Sequence, residues 1–187
     1  MSTSGKWTSK FCLIAVFLLV AAMVQAQGNA AFSKISMGFV MGFPTGKTAK
    51  VYVNGYGASV KAEYNIASAI NLTGSAGYMV FRYRDDVKKR LDYNGEETRA
   101  NGVLPIKLGA KYYFAGIYYA AIEVGTANTL GDRISSSFSY GPTLGVYLPF
   151  SKSYGADLGL RYEGWKGSGG QVSFFGLRLA FAIGKNR

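Results

Sequence analysis

Residues 175–183 read Phe-Gly-Leu-Arg-Leu-Ala-Phe-Ala-Ile, with a large apolar side chain at every second position. Phe175, Leu177, Leu179, Phe181 and Ile183 fall on one face of an extended chain; Gly176, Arg178 and Ala180 fall on the other. A period of two marks a strand whose faces meet unlike surroundings. The same alternation recurs upstream. Ile35, Met37, Phe39, Met41 and Phe43 oppose Lys34, Ser36, Gly38 and Gly42, and Tyr56, Ala58, Val60, Ala62 and Tyr64 oppose Gly55, Gly57, Ser59, Lys61 and Glu63. It returns in segments around Ile70–Val80, Leu104–Tyr112, Tyr118–Gly125, Ser137–Leu148 and Ala156–Glu163. The reading is therefore eight strands of about ten residues each, the length that crosses hydrocarbon at a tilt.

The connectors sort into two classes. Asn65 to Ser68, Ala115-Gly116 and Pro149 to Ser153 are tight turns. Pro44 to Val51, Arg82 to Asn101, Thr126 to Ile134 and Trp165 to Gly170 are longer and polar, and Arg82 to Asn101 is the longest and most charged. Short and long connectors in alternation fit an up-and-down antiparallel barrel with a rim of turns and a rim of loops.

Three features put the apolar face outside. An eight-stranded barrel has room only for close-packed side chains, and the Tyr, Phe, Leu, Ile and Val of the apolar face are too bulky to fill it together. The glycines of these segments, Gly74 excepted, share the polar face. A tightly curved inner wall needs small residues there; a water-facing strand is only weakened by them. Tyr52, Tyr64, Tyr78, Tyr112, Phe114, Tyr118, Phe138, Tyr140, Tyr154 and Tyr162 stand near strand ends, as in aromatic girdles at a lipid–water interface. The polar face then becomes a lumen. Lys61, Lys107, Lys111, Arg161 and Arg178 are expected to meet Glu63, Glu123, Asp157 and Glu163 there, in an interior charge network that plugs the barrel.

Before the strands stands a segment of another kind. Lys6 and Lys10 precede an apolar run from Phe11 to Val24, and Val24-Gln25-Ala26 ends it with the residues of a cleavage site. Residues 1–26 read as a secretory signal peptide, leaving 27–187 as one barrel domain. The lone cysteine, Cys12, lies in that leader, so the mature chain has no disulfide scaffold.

Composition excludes much chemistry. The 187 residues are 49% hydrophobic, 15% aromatic and 17% charged, with a net charge of +11 and no histidine. Without histidine there is no Ser-His-Asp or Cys-His catalysis and no His-ligated metal. No other base stands beside a nucleophile at a recognisable spacing, so the expectation is a protein that is not an enzyme and takes no cofactor. The basic residues gather in the long connectors rather than on a face suited to nucleic acid. Lys88, Lys89 and Arg90 are candidates for contact with lipopolysaccharide phosphates.

With its leader, its eight amphipathic strands and its Phe-rich closing strand Val172 to Ile183, the chain resembles the small outer-membrane β-barrel proteins of the OmpA and OmpX type. The resemblance implies a bacterial outer-membrane location, periplasmic termini, extracellular long loops, and partners among outer-membrane lipid, lipopolysaccharide and the barrel-assembly machinery. Members of that family commonly end on an aromatic residue, whereas this chain runs past Ile183 through Gly184-Lys185-Asn186-Arg187. Three functional readings follow. The first is a structural or surface-interaction barrel acting through 82–101 toward an extracellular partner. The others are a narrow porin and a soluble, lipocalin-like periplasmic carrier of an apolar ligand.

Overall fold

The computed structural model describes residues 32–93, 102–130, 135–168 and 170–184. Residues 1–31, which hold the expected leader and Cys12, residues 94–101 of the long connector and the last three residues lie outside them. Eight strands follow in chain order: β1 Phe32–Pro44, β2 Tyr52–Ala67, β3 Ile70–Tyr83, β4 Gly102–Ala115, β5 Tyr118–Leu130, β6 Ser135–Pro149, β7 Tyr154–Gly167 and β8 Gly170–Gly184. Each pairs with its neighbours in sequence, and β8 closes on β1 from Lys34↔Gly184 to Pro44↔Phe174. Closure leaves no edge strand, so the backbone groups of the wall pair within the wall apart from two gaps at prolines, as a lipid environment favours.

The strands are 13 to 16 residues long rather than about ten. Most of the excess lies at the loop rim, where alternation gives way to polar residues, and the rest at the turns, as where β2 runs on to Ala67 and β4 to Ala115. Thus β5 runs on to Leu130 and β7 to Gly167, taking Trp165 out of its expected loop. The longest connector contains a helix, α1, at Asp85–Tyr93, with Asp85 and Asp86 in its first turn and Arg90 in its last. That placement suits the helix dipole.

The apolar face is the outer one. Leu108 is 70% exposed and Leu144 63%, and Phe39, Ile122, Leu179 and Phe181 are exposed likewise. A continuous apolar surface wrapped around a closed barrel needs an apolar solvent, and this excludes the soluble carrier. Tyr154 and Tyr162, both outward on β7, bracket the belt. Strand rise and barrel tilt together make their separation comparable to the height of a membrane barrel's apolar band.

Tyr52 departs from the expected girdle. Between Tyr52 and Asn54 the β2–β3 register slips, because Tyr52 pairs with Tyr83 and Asn54 with Arg82. The extra residue, Val53, makes a bulge and reverses the alternation beyond it. The Tyr52 ring therefore packs 5.4 Å from Phe81 and 4.9 Å from Tyr83, against the luminal cluster.

Two prolines interrupt the wall. The β3–β4 ladder skips Gly77 and Tyr78 opposite Leu104 and Pro105, and the β6–β7 ladder skips Gly141 and Pro142 opposite Tyr162 and Glu163. Proline has no N–H to donate, and each gap falls on the side where its donor is missing. On the inner wall, aromatic rings pack against glycines. A Cβ on Gly55 would stand 2.7 Å from the Phe81 ring, and one on Gly145 would collide with Tyr119 and the Leu158 carbonyl.

Candidate functional site

The lumen is the chemically distinctive part of the chain. Alternation sends Lys61 and Glu63 inward from β2, Lys107 and Lys111 from β4, Glu123 from β5, Asp157, Arg161 and Glu163 from β7, and Arg178 from β8. All nine side chains are buried. They gather around four carboxylates.

Glu163 is the most heavily bonded. Lys107 Nζ donates to both of its oxygens at 2.9 Å, Trp165 Nε1 donates at 2.9 Å and Ser139 Oγ at 3.3 Å. Arg161 Nε stands 2.9 Å from Glu163 Oε2. Asp157 accepts from Lys111 Nζ at 2.6 Å and from the Tyr119 hydroxyl at 2.7 Å, with Arg178 Nη1 3.5 Å away. Glu63 accepts from Lys111 Nζ at 2.7 Å, Asn71 Nδ2 at 2.8 Å and the Tyr113 hydroxyl at 3.4 Å. Glu123 accepts from Lys61 Nζ at 3.0 Å and Thr73 Oγ1 at 3.4 Å.

The pairs run across the barrel. Lys61–Glu123 ties β2 to β5, Lys107–Glu163 ties β4 to β7, and Lys111 ties β4 to both β2 and β7. None of these strand pairs is adjacent in the wall: Lys111–Glu63 spans one intervening strand and the others span two, so each bridge ties separate parts of the wall through the lumen. Extra hydrogen bonds to the same carboxylates are what a buried ion pair needs to offset its desolvation.

Clusters of buried apolar and aromatic residues flank this network on both sides. Toward the loops lie Val40, Met79, Phe81, Val103, Ala127, Trp165 and Phe174. Phe81, Trp165 and Phe174 meet edge to face, with ring centres 5.6 Å apart for Phe81–Trp165, 5.2 Å for Phe81–Phe174 and 5.1 Å for Trp165–Phe174. That geometry is a favourable one for aromatic rings. Toward the turns lie Tyr113, Tyr119, Ala121, Tyr147 and Ala182. Above the loop-side layer is a vestibule of about 240 Å³ lined by Tyr52, Tyr83, Trp165 and Gln171 among others.

Several luminal residues are not evident from the sequence. Lys34 is buried, with Nζ 3.2 Å from the centre of the Tyr147 ring. This is a cation–π contact. Its place on the polar face of β1 is the available signal. Tyr119 falls on the polar face with Glu123, whereas Tyr113 and Tyr147 sit at inward positions where a tyrosine near a strand end reads equally well as girdle. Trp165 is hidden by the loop-like residues around it.

At the loop rim, Lys88, Lys89 and Arg90 are exposed on α1. Consecutive helical positions turn by about 100° each, so the three fan out rather than converge. Exposed ion pairs precede them, Arg82–Asp85 at 4.0 Å and Arg84–Asp86 at 3.5 Å. Among the described residues, no group of three or more metal-ligating side chains occurs.

No family model and no curated protein matches this chain. Solved structures do. The attachment invasion locus protein Ail of Yersinia pestis, in its crystal form, gives a TM-score of 0.55 at 16% identity, covering 80% of this chain and 96% of Ail. Ail in a phospholipid bilayer nanodisc gives 0.56 at 16% identity, over 81% of this chain and 99% of that one. Neisserial surface protein A gives 0.54 at 16%, over 82% and 98%. The fold is that of a small outer-membrane β-barrel. The outer-membrane protein AlkL, whose structure was determined in lipid bilayers, is similar as well, with a TM-score of 0.51 at 14% identity over 86% of this chain and 93% of its own. The outward apolar belt and the buried polar lumen thus belong to an outer-membrane barrel fold.

Proposed function

We propose that this outer-membrane barrel is a closed, non-enzymatic scaffold that works through its loop rim, chiefly residues 82–101 with α1, at the cell surface. The observation that carries the reading is the packed lumen, in which all nine charged side chains are buried. Two apolar layers and four cross-braced carboxylates leave the charged, exposed rim as the surface available for recognition. The short turns and both termini would then face the periplasm, and assembly would depend on the barrel-assembly machinery. In support, Ail has been crystallised with the heparin analogue sucrose octasulfate, a polyanion, and the rim of this chain is rich in exposed cations.

Lys88, Lys89 and Arg90 are assigned to lipopolysaccharide phosphates of surrounding lipid. Because they fan around α1, they suit several phosphates rather than one. Replacing all three with glutamine is expected to lower the lipopolysaccharide that co-purifies with the folded barrel, with the unfolding midpoint unchanged. Unchanged retention would contradict the assignment.

The narrow-porin reading requires a water-filled path through the luminal layers. Planar-bilayer recording of the purified barrel is expected to show no stable conductance steps. Reproducible steps of one size would overturn the closed scaffold.

A further inference from the structure

The charges of the luminal network do not cancel. Lys61, Lys107, Lys111, Arg161 and Arg178 are five cations, and Glu63, Glu123, Asp157 and Glu163 are four carboxylates, all buried. Buried Lys34, beside the turn-side layer, adds to the excess rather than offsetting it. Lys111 sits between Glu63 and Asp157, while Lys61 has Glu123 to itself. Asp157 is also shared with Arg178, and Glu163 is shared by Lys107 and Arg161. Within the nine-residue network, the shortage of negative charge therefore falls on the half of the lumen nearer the loops.

A void of about 10 Å³ lies there, and Lys61, Lys107, Arg161, Arg178, Ser59 and Ser75 are on its wall. No carboxylate lines it. Three of those residues carry a buried polar atom without a hydrogen-bond partner: Ser75 Oγ, Arg161 Nε and Arg178 Nη1. Arg161 Nε is close to Glu163, and Arg178 Nη1 is 3.5 Å from Asp157, yet neither is aligned to donate. Buried donors are rarely left unsatisfied, and an uncompensated charge in a low-dielectric interior is costlier still.

We infer that this void binds one small monovalent anion of the halide class, which accepts from the Ser75 hydroxyl and from the Arg161 and Arg178 nitrogens that lack an aligned acceptor, and brings the five-cation network to neutrality. A water molecule would satisfy the donors but leave the charge. A larger oxyanion would not fit the void. The inference concerns the lumen only and stands apart from the role assigned to the rim.

The test uses the full chain, refolded in detergent, in sodium chloride, sodium bromide or sodium gluconate at one ionic strength. Trp165, hydrogen-bonded within the network, reports unfolding, with Trp7→Phe removing the other tryptophan. The expected result is a saturable rise of the midpoint in chloride and bromide but not gluconate, on the order of 3 °C at ten times the dissociation constant. Crystals grown in bromide are expected to show an anomalous peak between Lys107 and Ser75. Ser75→Val, which fills the void without removing a charge, is expected to abolish both the halide dependence and the peak. Equal midpoints in halide and gluconate with no peak would overturn the inference and leave a water there. A halide effect without a luminal peak would overturn it too, by placing the effect at the surface.

Discussion

Replacing Glu163 with alanine is expected to destabilise the barrel by about 3–5 kcal/mol, the scale for removing one partner from a buried ion pair. Glu163 is fully buried and holds Lys107, Arg161, Trp165 and Ser139 together. The alanine variant strands two buried cations and an indole N–H at once. Asp86→Ala removes an exposed partner of Arg84. It is expected to cost no more than about 1 kcal/mol, because solvent screens that pair. Urea unfolding of both variants in lipid vesicles checks the contrast, and Trp165 fluorescence additionally tests whether the network is lost locally. Equal, small effects would mean that the luminal charges are hydrated rather than braced.

Placing an arginine at Leu108 is expected to cost about 2–4 kcal/mol in a bilayer, the scale for a charge on the lipid face near the midplane of a membrane barrel. Leu108 is 70% exposed and lies near the middle of the outer stripe of β4, between Ile106 and Ala110. On a water-facing wall the same substitution would change stability by no more than about 0.5 kcal/mol. The nature of the surrounding medium is thus read from one residue. Folding yield and urea midpoint in vesicles measure it, and a neutral Leu108→Arg would mean that this face does not meet hydrocarbon.

Most of the barrel is legible in the sequence because its physics is periodic. Once Leu108 and Lys107 must face opposite media, the phase of the whole strand is fixed, since a slip of one residue would reverse both. The same argument sends Lys61, Glu123 and Arg178 into the lumen without any knowledge of their partners. Which of them pair is not legible, because Lys107 and Glu163 meet across strands that are not neighbours and their distance depends on the barrel's closure.

The departures from expectation have local causes. Val53 shifts the phase of β2 by one residue, and a single inserted residue leaves no mark in a run such as Tyr52-Val53-Asn54 that could be strand in either phase. Trp165 reads as loop because Gly164, Lys166 and Gly167 flank it, whereas β7 continues above the membrane belt and needs no apolar outer face there. In α1, Val87 and Leu91 are spaced one turn apart in the sequence, but charged neighbours on every side give that spacing little weight. Pro105 and Pro142 would ordinarily argue against central strands. The closed wall tolerates them because each leaves a gap in one ladder while the other stays paired.

A closed barrel with its apolar face in lipid and its ion pairs inside must present alternate residues of each strand to different media. Single-cysteine spin labelling tests this most directly. Cys12→Ser leaves a cysteine-free background, and one cysteine at a time is placed along β4 from position 106 to 112, Gly109 excepted because a Cβ there would meet the Ile122 backbone. In lipid vesicles, labels at Ile106, Leu108, Ala110 and Tyr112 are expected to collide freely with oxygen dissolved in the acyl chains, and labels at Lys107 and Lys111 are not. An oxygen accessibility that alternates in the opposite phase, or does not alternate at all, would contradict the account.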